Sequence, residues 1–242
     1  MQITADAKVA DVATADPATI RVFQQHKIDF CCGGKIPIAE ACEQQGIDTD
    51  SLIAELRSVQ RESVAGADWR TAAFAELVTH IQRTYHEPLR SELPRLSAMM
   101  TKVVQAHGTH LPETLLPLQR TYEELQAELL HHMAKEDREL FPEILRLEAH
   151  ASSDQPGGWT WIDGAVRAME ADHDTAGAAL AKMREMTGDY TPPEWSCPTF
   201  RGLYHGLSEL EREMHVHVHL ENHILFPRAT ARAHEVSASA TA

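Results

Sequence analysis

From residue 71 onwards the apolar residues recur at intervals of three and four, which is the period of a helix with one buried face. This pattern predicts four long amphipathic helices at about 71–106, 113–150, 160–187 and 195–232. The segments between them are short and rich in Gly, Pro, Asp and Ser, as loops are. Because short loops join antiparallel neighbours, the sequence predicts an all-α protein built on an antiparallel four-helix bundle.

The first part of the chain has a different pattern, with three shorter helical segments separated by turn residues. One of the turns is the segment DFCCGGK at 29–35, where Gly33 and Gly34 end a helical stretch. A unit of this length can bury only a small core. We therefore predict a small helical domain at 1–61, a linker at 62–70, the bundle at 71–232 and a disordered tail at 233–242.

Composition narrows the class of partner. Hydrophobic residues make up 43% of the chain, which is enough to form a hydrophobic core. The net charge of −14 argues against binding to nucleic acid or to an anionic membrane surface, because like charges repel. The chain has neither an apolar run long enough to span a membrane nor the basic-then-apolar start of a secretory signal. Two of the four cysteines are adjacent, which suits a disulfide framework poorly, so we expect a reducing, cytoplasmic location.

The most informative motif is His-x-x-x-Glu-x-x-x-Leu-Phe-Pro, which occurs at 132–142 and again at 217–227. A His and a Glu four residues apart lie on one face of a helix. Imidazole and carboxylate together suit iron, manganese or zinc. One such pair is common by chance in an acidic helix, but two pairs with the same Leu-Phe-Pro tail indicate a metal site.

A single His stands upstream of each copy at nearly the same distance, which gives the chain two similar halves. The six candidate metal ligands are His86, His132, Glu136, His173, His217 and Glu221. All six lie on the apolar stripe of their predicted helix, where an unpartnered carboxylate costs several kcal/mol. Four buried imidazoles and two carboxylates therefore predict two metal ions, with the carboxylates free to bridge them.

The remaining histidines are expected at the surface. They include His80, His131 and a row on another face of the last helix, at His215, His219 and His223. Glu170 lies three residues before His173, but this spacing occurs only once, so we do not expect Glu170 to be a further ligand.

The repeated motif on a four-helix bundle resembles hemerythrin-like proteins. With the double-Cys segment at 29–35 in front of it, the chain is similar over about residues 8–230 to the repair-of-iron-centres (RIC) family, whose N-terminal unit is the ScdA-type domain. The resemblance implies a non-haem di-iron centre with an oxo or hydroxo bridge. His86 and His132 would bind one iron and His173 and His217 the other, with Glu136 and Glu221 bridging.

The resemblance also implies a function, the repair of iron–sulfur clusters damaged by nitrosative or oxidative stress through the supply of iron. Damaged iron–sulfur proteins and nitric oxide or oxygen would then be the partners. An alternative is an enzyme that reduces nitric oxide to nitrous oxide at the two irons. A sensor of oxygen or nitric oxide ranks last, because the sequence shows no output domain.

Cys31 and Cys32 are candidates for transferring electrons, nitric oxide or iron. We expect both thiols to be exposed, with Lys35 lowering a thiol pKa, although the pair would also fit a tight turn without a chemical role. The sequence leaves open whether the small domain docks over the metal site or moves as a flexible arm. It also leaves open whether the protein forms a homodimer.

Overall fold

The computed structural model describes residues 2–62, 68–149 and 159–240. The N-terminal part folds as four short helices: α1 (Val9–Ala15), α2 (Ile20–Gln25), α3 (Ile38–Gln45) and α4 (Thr49–Glu62). Their apolar faces, which include Phe23 and Leu56, form a core of their own together with Phe30 of the loop between α2 and α3. Among the described residues no β-strand occurs, and the one extended pairing is an isolated antiparallel bridge between Lys8 and Pro37.

The predicted bundle is present as four long helices, three of which contain one wider, π-helical turn. Their segments are α5 (Phe74–Ile81) and α6 (Glu87–His107), α7 (Pro112–Lys135) and α8 (Phe141–Glu148), α9 (Ile162–Met186), and α10 (Pro198–Leu220) and α11 (Phe226–Ala240). The π-turns Gln82–His86, Glu136–Leu140 and Glu221–Leu225 join the paired segments. In the described ranges none of these helices is long and apolar enough to cross a membrane.

The apolar stripes of the bundle meet in two separate clusters along its length. One cluster contains Leu93, Leu125 and Leu207, and the other contains Ile81, Phe141 and Ile162. On the first and third bundle helices the predicted ligand lies in sequence between the residues of the two clusters. On the second and fourth helices the His and Glu lie where the residues of one cluster give way to those of the other. The site is therefore a buried polar belt between two apolar ends.

The predicted disordered tail is wrong for residues 233–240, because α11 continues through them to Ala240. This segment is rich in Ala, which favours helix, and Ala233 is buried in the bundle.

The predicted linker falls partly outside the described residues, which resume at Asp68. Just after this point, the main-chain oxygens of Trp69 and Ala72 accept hydrogen bonds from Arg228 of α11 (2.7 Å and 2.6 Å), which join the start of the bundle to its last helix.

Candidate metal centre

The structure brings all six predicted ligands together in the middle of the bundle. They form two groups, each with its ligand atoms within 4.8 Å of one another: His86, His217, Glu136 and Glu221, and His132, His173, Glu136 and Glu221. Every member is buried, and no residue among them is more than 4% exposed. Both carboxylates belong to both groups, which is the arrangement that bridging requires.

The expected pairing of His86 with His132 and of His173 with His217 is wrong. The Nε2 atoms of His86 and His217 lie 3.1 Å apart, and those of His132 and His173 lie 2.9 Å apart. Helix packing allows this pairing, because α6 packs against α10 as well as against α7, and α7 packs against α9. Each imidazole pair therefore comes from two facing helices, with one His from each half of the chain.

Each of the three π-turns begins or ends at a predicted metal ligand. His86 ends the first turn, whereas Glu136 and Glu221 begin the other two. A π-turn inserts an extra residue into one helical turn and is frequent at functional sites, because it changes the direction of the side chains around it. In α9, which supplies His173 alone, the described helix is regular.

Acidic or amide side chains hold the outer nitrogen of three of the imidazoles. Nδ1 of the His contacts a carboxylate or amide oxygen in the pairs His86–Asp137 (2.9 Å), His132–Asp172 (3.3 Å) and His173–Asn222 (2.7 Å). An imidazole that donates Nδ1–H to such an acceptor carries a lone pair on Nε2. This is the tautomer that binds a metal ion, and hydrogen-bond acceptors of this kind are usual around metal-ligating histidines.

The buried polar atoms of the site fit a bound cation. If His132 and His173 both donate through Nδ1, their Nε2 lone pairs face each other at 2.9 Å. Both carboxylate oxygens of Glu136 and Oε2 of Glu221 are fully buried and accept no hydrogen bond from the described residues. Buried charges of this kind are costly without a partner, and a cation between them would be the missing partner.

Electrostatics supports the same interpretation. Burial alone would lower the pKa of His86, but its hydrogen bond to Asp137 and the nearby carboxylates of Glu221 and Glu136 raise it to about 9. Burial would also lower the pKa of His132, but the nearby carboxylates of Glu136, Glu221 and Asp172 raise it to about 9. The carboxylates thus attract positive charge strongly, and a metal ion would bind by displacing these protons.

The double-Cys segment is a tight loop whose first thiol is buried, so the expected exposure of both thiols is wrong. Cys31 is only 2% exposed, and Cys32 is half-buried. The Asp29 carboxylate accepts the main-chain N–H of Cys31 (2.8 Å), the Cys31 thiol (3.1 Å) and the N–H of Gly33 (2.8 Å). The hydrogen bond with the Cys32 side chain, burial and the charge of Asp29 raise the Cys31 pKa well above its usual value.

This loop docks the small domain on the bundle. The Cys32 thiol lies 3.6 Å from the main-chain oxygen of His173, so the loop contacts the helix that carries a ligand. Lys35, expected to act on a thiol, instead has Nζ 3.6 Å from the Glu170 carboxylate. Glu170 belongs to neither ligand group.

Two histidines expected at the surface lie in this interface. His219 is 1% exposed and donates through Nδ1 to the main-chain oxygen of Phe30 (3.0 Å), while Nε2 contacts Thr14 Oγ1 (3.3 Å). His223 donates to the main-chain oxygen of Cys31. The histidine row on the outer face of the last helix therefore holds the double-Cys loop against the bundle, whereas His131 is exposed as predicted.

Sequence reasoning missed Asp137, Asp172 and Asn222 as hydrogen-bond acceptors at the site. Each directly follows or precedes a ligand in the sequence, yet each contacts a ligand of a different helix. Adjacent residues on a helix point about 100° apart, so the neighbour of a ligand faces the next helix of the bundle. A polar residue next to Glu136, His173 and Glu221 was the available signal.

The fold and the site define a class, namely helical-bundle proteins that bind metal cations through buried His and Glu. Residues 77–229 match the hemerythrin HHE cation binding domain family, and residues 5–60 match the ScdA_N domain, a domain of unknown function.

Full-length relatives narrow this class. The iron-sulfur cluster repair protein ScdA of Staphylococcus haemolyticus is 37% identical over 224 residues, which cover 93% of this chain and 98% of that protein. The iron-sulfur cluster repair protein YtfE of Yersinia pseudotuberculosis is 37% identical over 218 residues, which cover 90% and 94%. The chain belongs to this family, in which an ScdA-type domain precedes a hemerythrin-like bundle.

Proposed function

We propose that this protein repairs iron–sulfur clusters damaged by nitrosative or oxidative stress, and that it does so by supplying iron from a di-iron centre in the bundle. The observation that carries the proposal is that Glu136 and Glu221 each belong to both ligand groups and so lie beside both imidazole pairs. Two iron ions side by side would explain why both carboxylates are buried at one point. The names of the relatives, both iron-sulfur cluster repair proteins, support the choice of substrate.

The ligand set suits iron that has to leave again. His86 and His217 would hold one ion and His132 and His173 the other, with both carboxylates between them. Two imidazoles and the two shared carboxylates offer each ion four protein ligands. An iron ion of higher coordination number would therefore keep positions open for other ligands. The apolar clusters on either side keep bulk water away from the carboxylates, so that these retain a strong attraction for the cation.

The test is the repair of a damaged cluster without any other iron. A dehydratase whose [4Fe–4S] cluster has been damaged by nitric oxide is incubated anaerobically with the reduced, iron-loaded protein, and recovered activity is measured. We expect recovery with the native chain and none with Glu136→Gln combined with Glu221→Gln. Glu139→Gln is the matched control, because Glu139 is an exposed carboxylate of the same π-turn. No recovery with the native protein would refute the proposal.

A second candidate, reduction of nitric oxide to nitrous oxide, is favoured by the position of the thiols. Cys32 lies against the main chain of the ligand His173, and the two sulfur atoms are 3.9 Å apart. The reaction consumes two nitric oxide molecules, two electrons and two protons and gives nitrous oxide and water. Nitrous oxide is measured per iron pair after nitric oxide is added to the reduced protein, in the native chain and in Cys31→Ser with Cys32→Ser. A stable nitrosyl without nitrous oxide would exclude this candidate.

A further inference from the structure

The four ligand imidazoles differ in what holds the ring. His86, His132 and His173 each have an acceptor for Nδ1, as described above. Nδ1 of His217 is fully buried and has no hydrogen-bond partner among the described residues. The His217 ring instead packs flat on the ring of Tyr85, with 5.1 Å between the centroids and 2° between the planes.

This difference matters because an acceptor on Nδ1 fixes the tautomer and the direction of a ligand imidazole and makes Nε2 a stronger ligand. Loss of such an acceptor typically costs about 10–100-fold in metal affinity. The pair His132 and His173 has both rings held by hydrogen bonds, whereas the pair His86 and His217 has only one.

The ring that covers His217 is also close to the surface. Tyr85 is half-buried, and its ring contacts His80, which in turn stacks on Trp69 at 4.5 Å. His80 and Trp69 are half-buried as well. His217 is thus separated from the surface of the bundle by the rings of Tyr85, His80 and Trp69, which pack on one another.

We propose that the two metal positions are unequal, and that the position between His86 and His217 is the one that releases its ion first. His217 is the ligand that detaches at the start of release, since no hydrogen bond from the described residues holds its ring at Nδ1. Its other nitrogen, which contacts Glu221 Oε1 at 3.0 Å, is the one that would bind the ion. This inference rests on the proposed di-iron centre and deepens the proposed supply of iron. It predicts that each protein molecule readily gives up one iron and retains the other.

The first test needs no variant. The reduced protein, loaded with iron, is mixed anaerobically with a chromogenic ferrous chelator, and iron release is followed by absorbance. We expect two phases of equal amplitude whose rates differ by about 10–100-fold, in line with the cost of a missing acceptor. In crystals of the half-depleted protein, anomalous scattering should place the remaining iron between His132 and His173. Remaining iron between His86 and His217, or one single phase, would overturn the inference.

Variants of the acceptors assign the phases independently. Asn222→Leu has nearly the same volume but no acceptor for His173, so the slow phase should accelerate towards the fast one. Asn222→Asp keeps an acceptor and should leave the slow phase slow. Asp137→Asn weakens the support of His86 and should accelerate only the fast phase. An Asn222→Leu protein in which only the fast phase changes would also overturn the inference.

These measurements separate the inference from the function on which it rests. The iron content before chelation, two ions or one for each chain, decides whether a di-iron centre exists. The order of release decides the inference, because it is measured without any damaged cluster. Repair of a cluster enzyme is a third result, and its failure would leave the order of release unchanged.

Discussion

Docking of the small domain depends strongly on His219, and the cost of its loss can be worked from the structure. In His219→Ala the buried main-chain oxygen of Phe30 loses its donor at 3.0 Å, which costs about 1–3 kcal/mol. The edge-on contact between the His219 and Phe30 rings, with centroids 5.5 Å apart, is worth about 0.5–1.5 kcal/mol more. The sum is about 1.5–4.5 kcal/mol, which raises the population of the undocked state about 10–2000-fold.

Alkylation of Cys31 measures this population, because the thiol is 2% exposed and its loop lies against the bundle. When closing is faster than alkylation, the labelling rate is proportional to the open population. We therefore expect Cys31 to be labelled about 10–2000-fold faster in His219→Ala. Cys42 is an internal reference, because it is fully buried in the small domain's own core and should keep its rate.

The matched control is His131→Ala, which removes an exposed histidine of α7 and should leave the labelling of Cys31 unchanged. His219→Asn restores a donor near the position of Nδ1 and should recover part of the protection. Iron content is measured in each variant, since His219 lies two residues from His217. Native labelling of Cys31 in His219→Ala would refute the reasoning. An equal acceleration at Cys42 would mean that the small domain itself unfolds.

Three further predictions concern the loop, its thiol and the metal. Gly34→Ala places Cβ 2.6 Å from the Phe30 oxygen, so thermal unfolding should show a loss of about 1–3 kcal/mol, whereas Gly164→Ala, with its nearest atom 4.0 Å away, should not destabilise. The hydrogen bond with Cys32, burial and the charge of Asp29 raise the Cys31 pKa, so between pH 7 and 9 mass spectrometry should find Cys32 alkylated well before Cys31. Removing the metal with a chelator should lower the calorimetric Tm, because an ion at 100 times its Kd contributes about 2.7 kcal/mol; an unchanged Tm would argue against a metal in the core.

Helical periodicity was the strongest local signal in this chain. On the last bundle helix, Leu207, Leu210 and Met214 are spaced by three and four residues and continue through His217 and Glu221 to Ile224, and all four apolar residues are buried. The six candidate ligands share these stripes and are buried with them. Which side of a helix faces inward depends on spacing along one segment, so the sequence was sufficient to predict it.

The π-turns and the outer acceptors were beyond this kind of reasoning. Neither the turn that ends at His86 nor the contact of Asp137 with that ring follows from a regular period of 3.6 residues. The same limitation explains the error at His219. Its polar side chain on a second face of the helix indicated solvent, but the double-Cys loop covers that face and accepts its hydrogen bond.

The sequence by itself determined that this is a helical bundle with two His-Glu motifs on its buried stripes, because the helical period and the motif spacing are local properties of the chain. The tertiary structure decided that His86 faces His217 and not His132, and that the double-Cys loop lies against the helix of His173. It also decided that His217 alone among the four imidazoles has no acceptor for Nδ1 in the described part of the chain. These contacts join residues far apart in sequence, and the packing of one helix against another, which no single segment encodes, sets their partners.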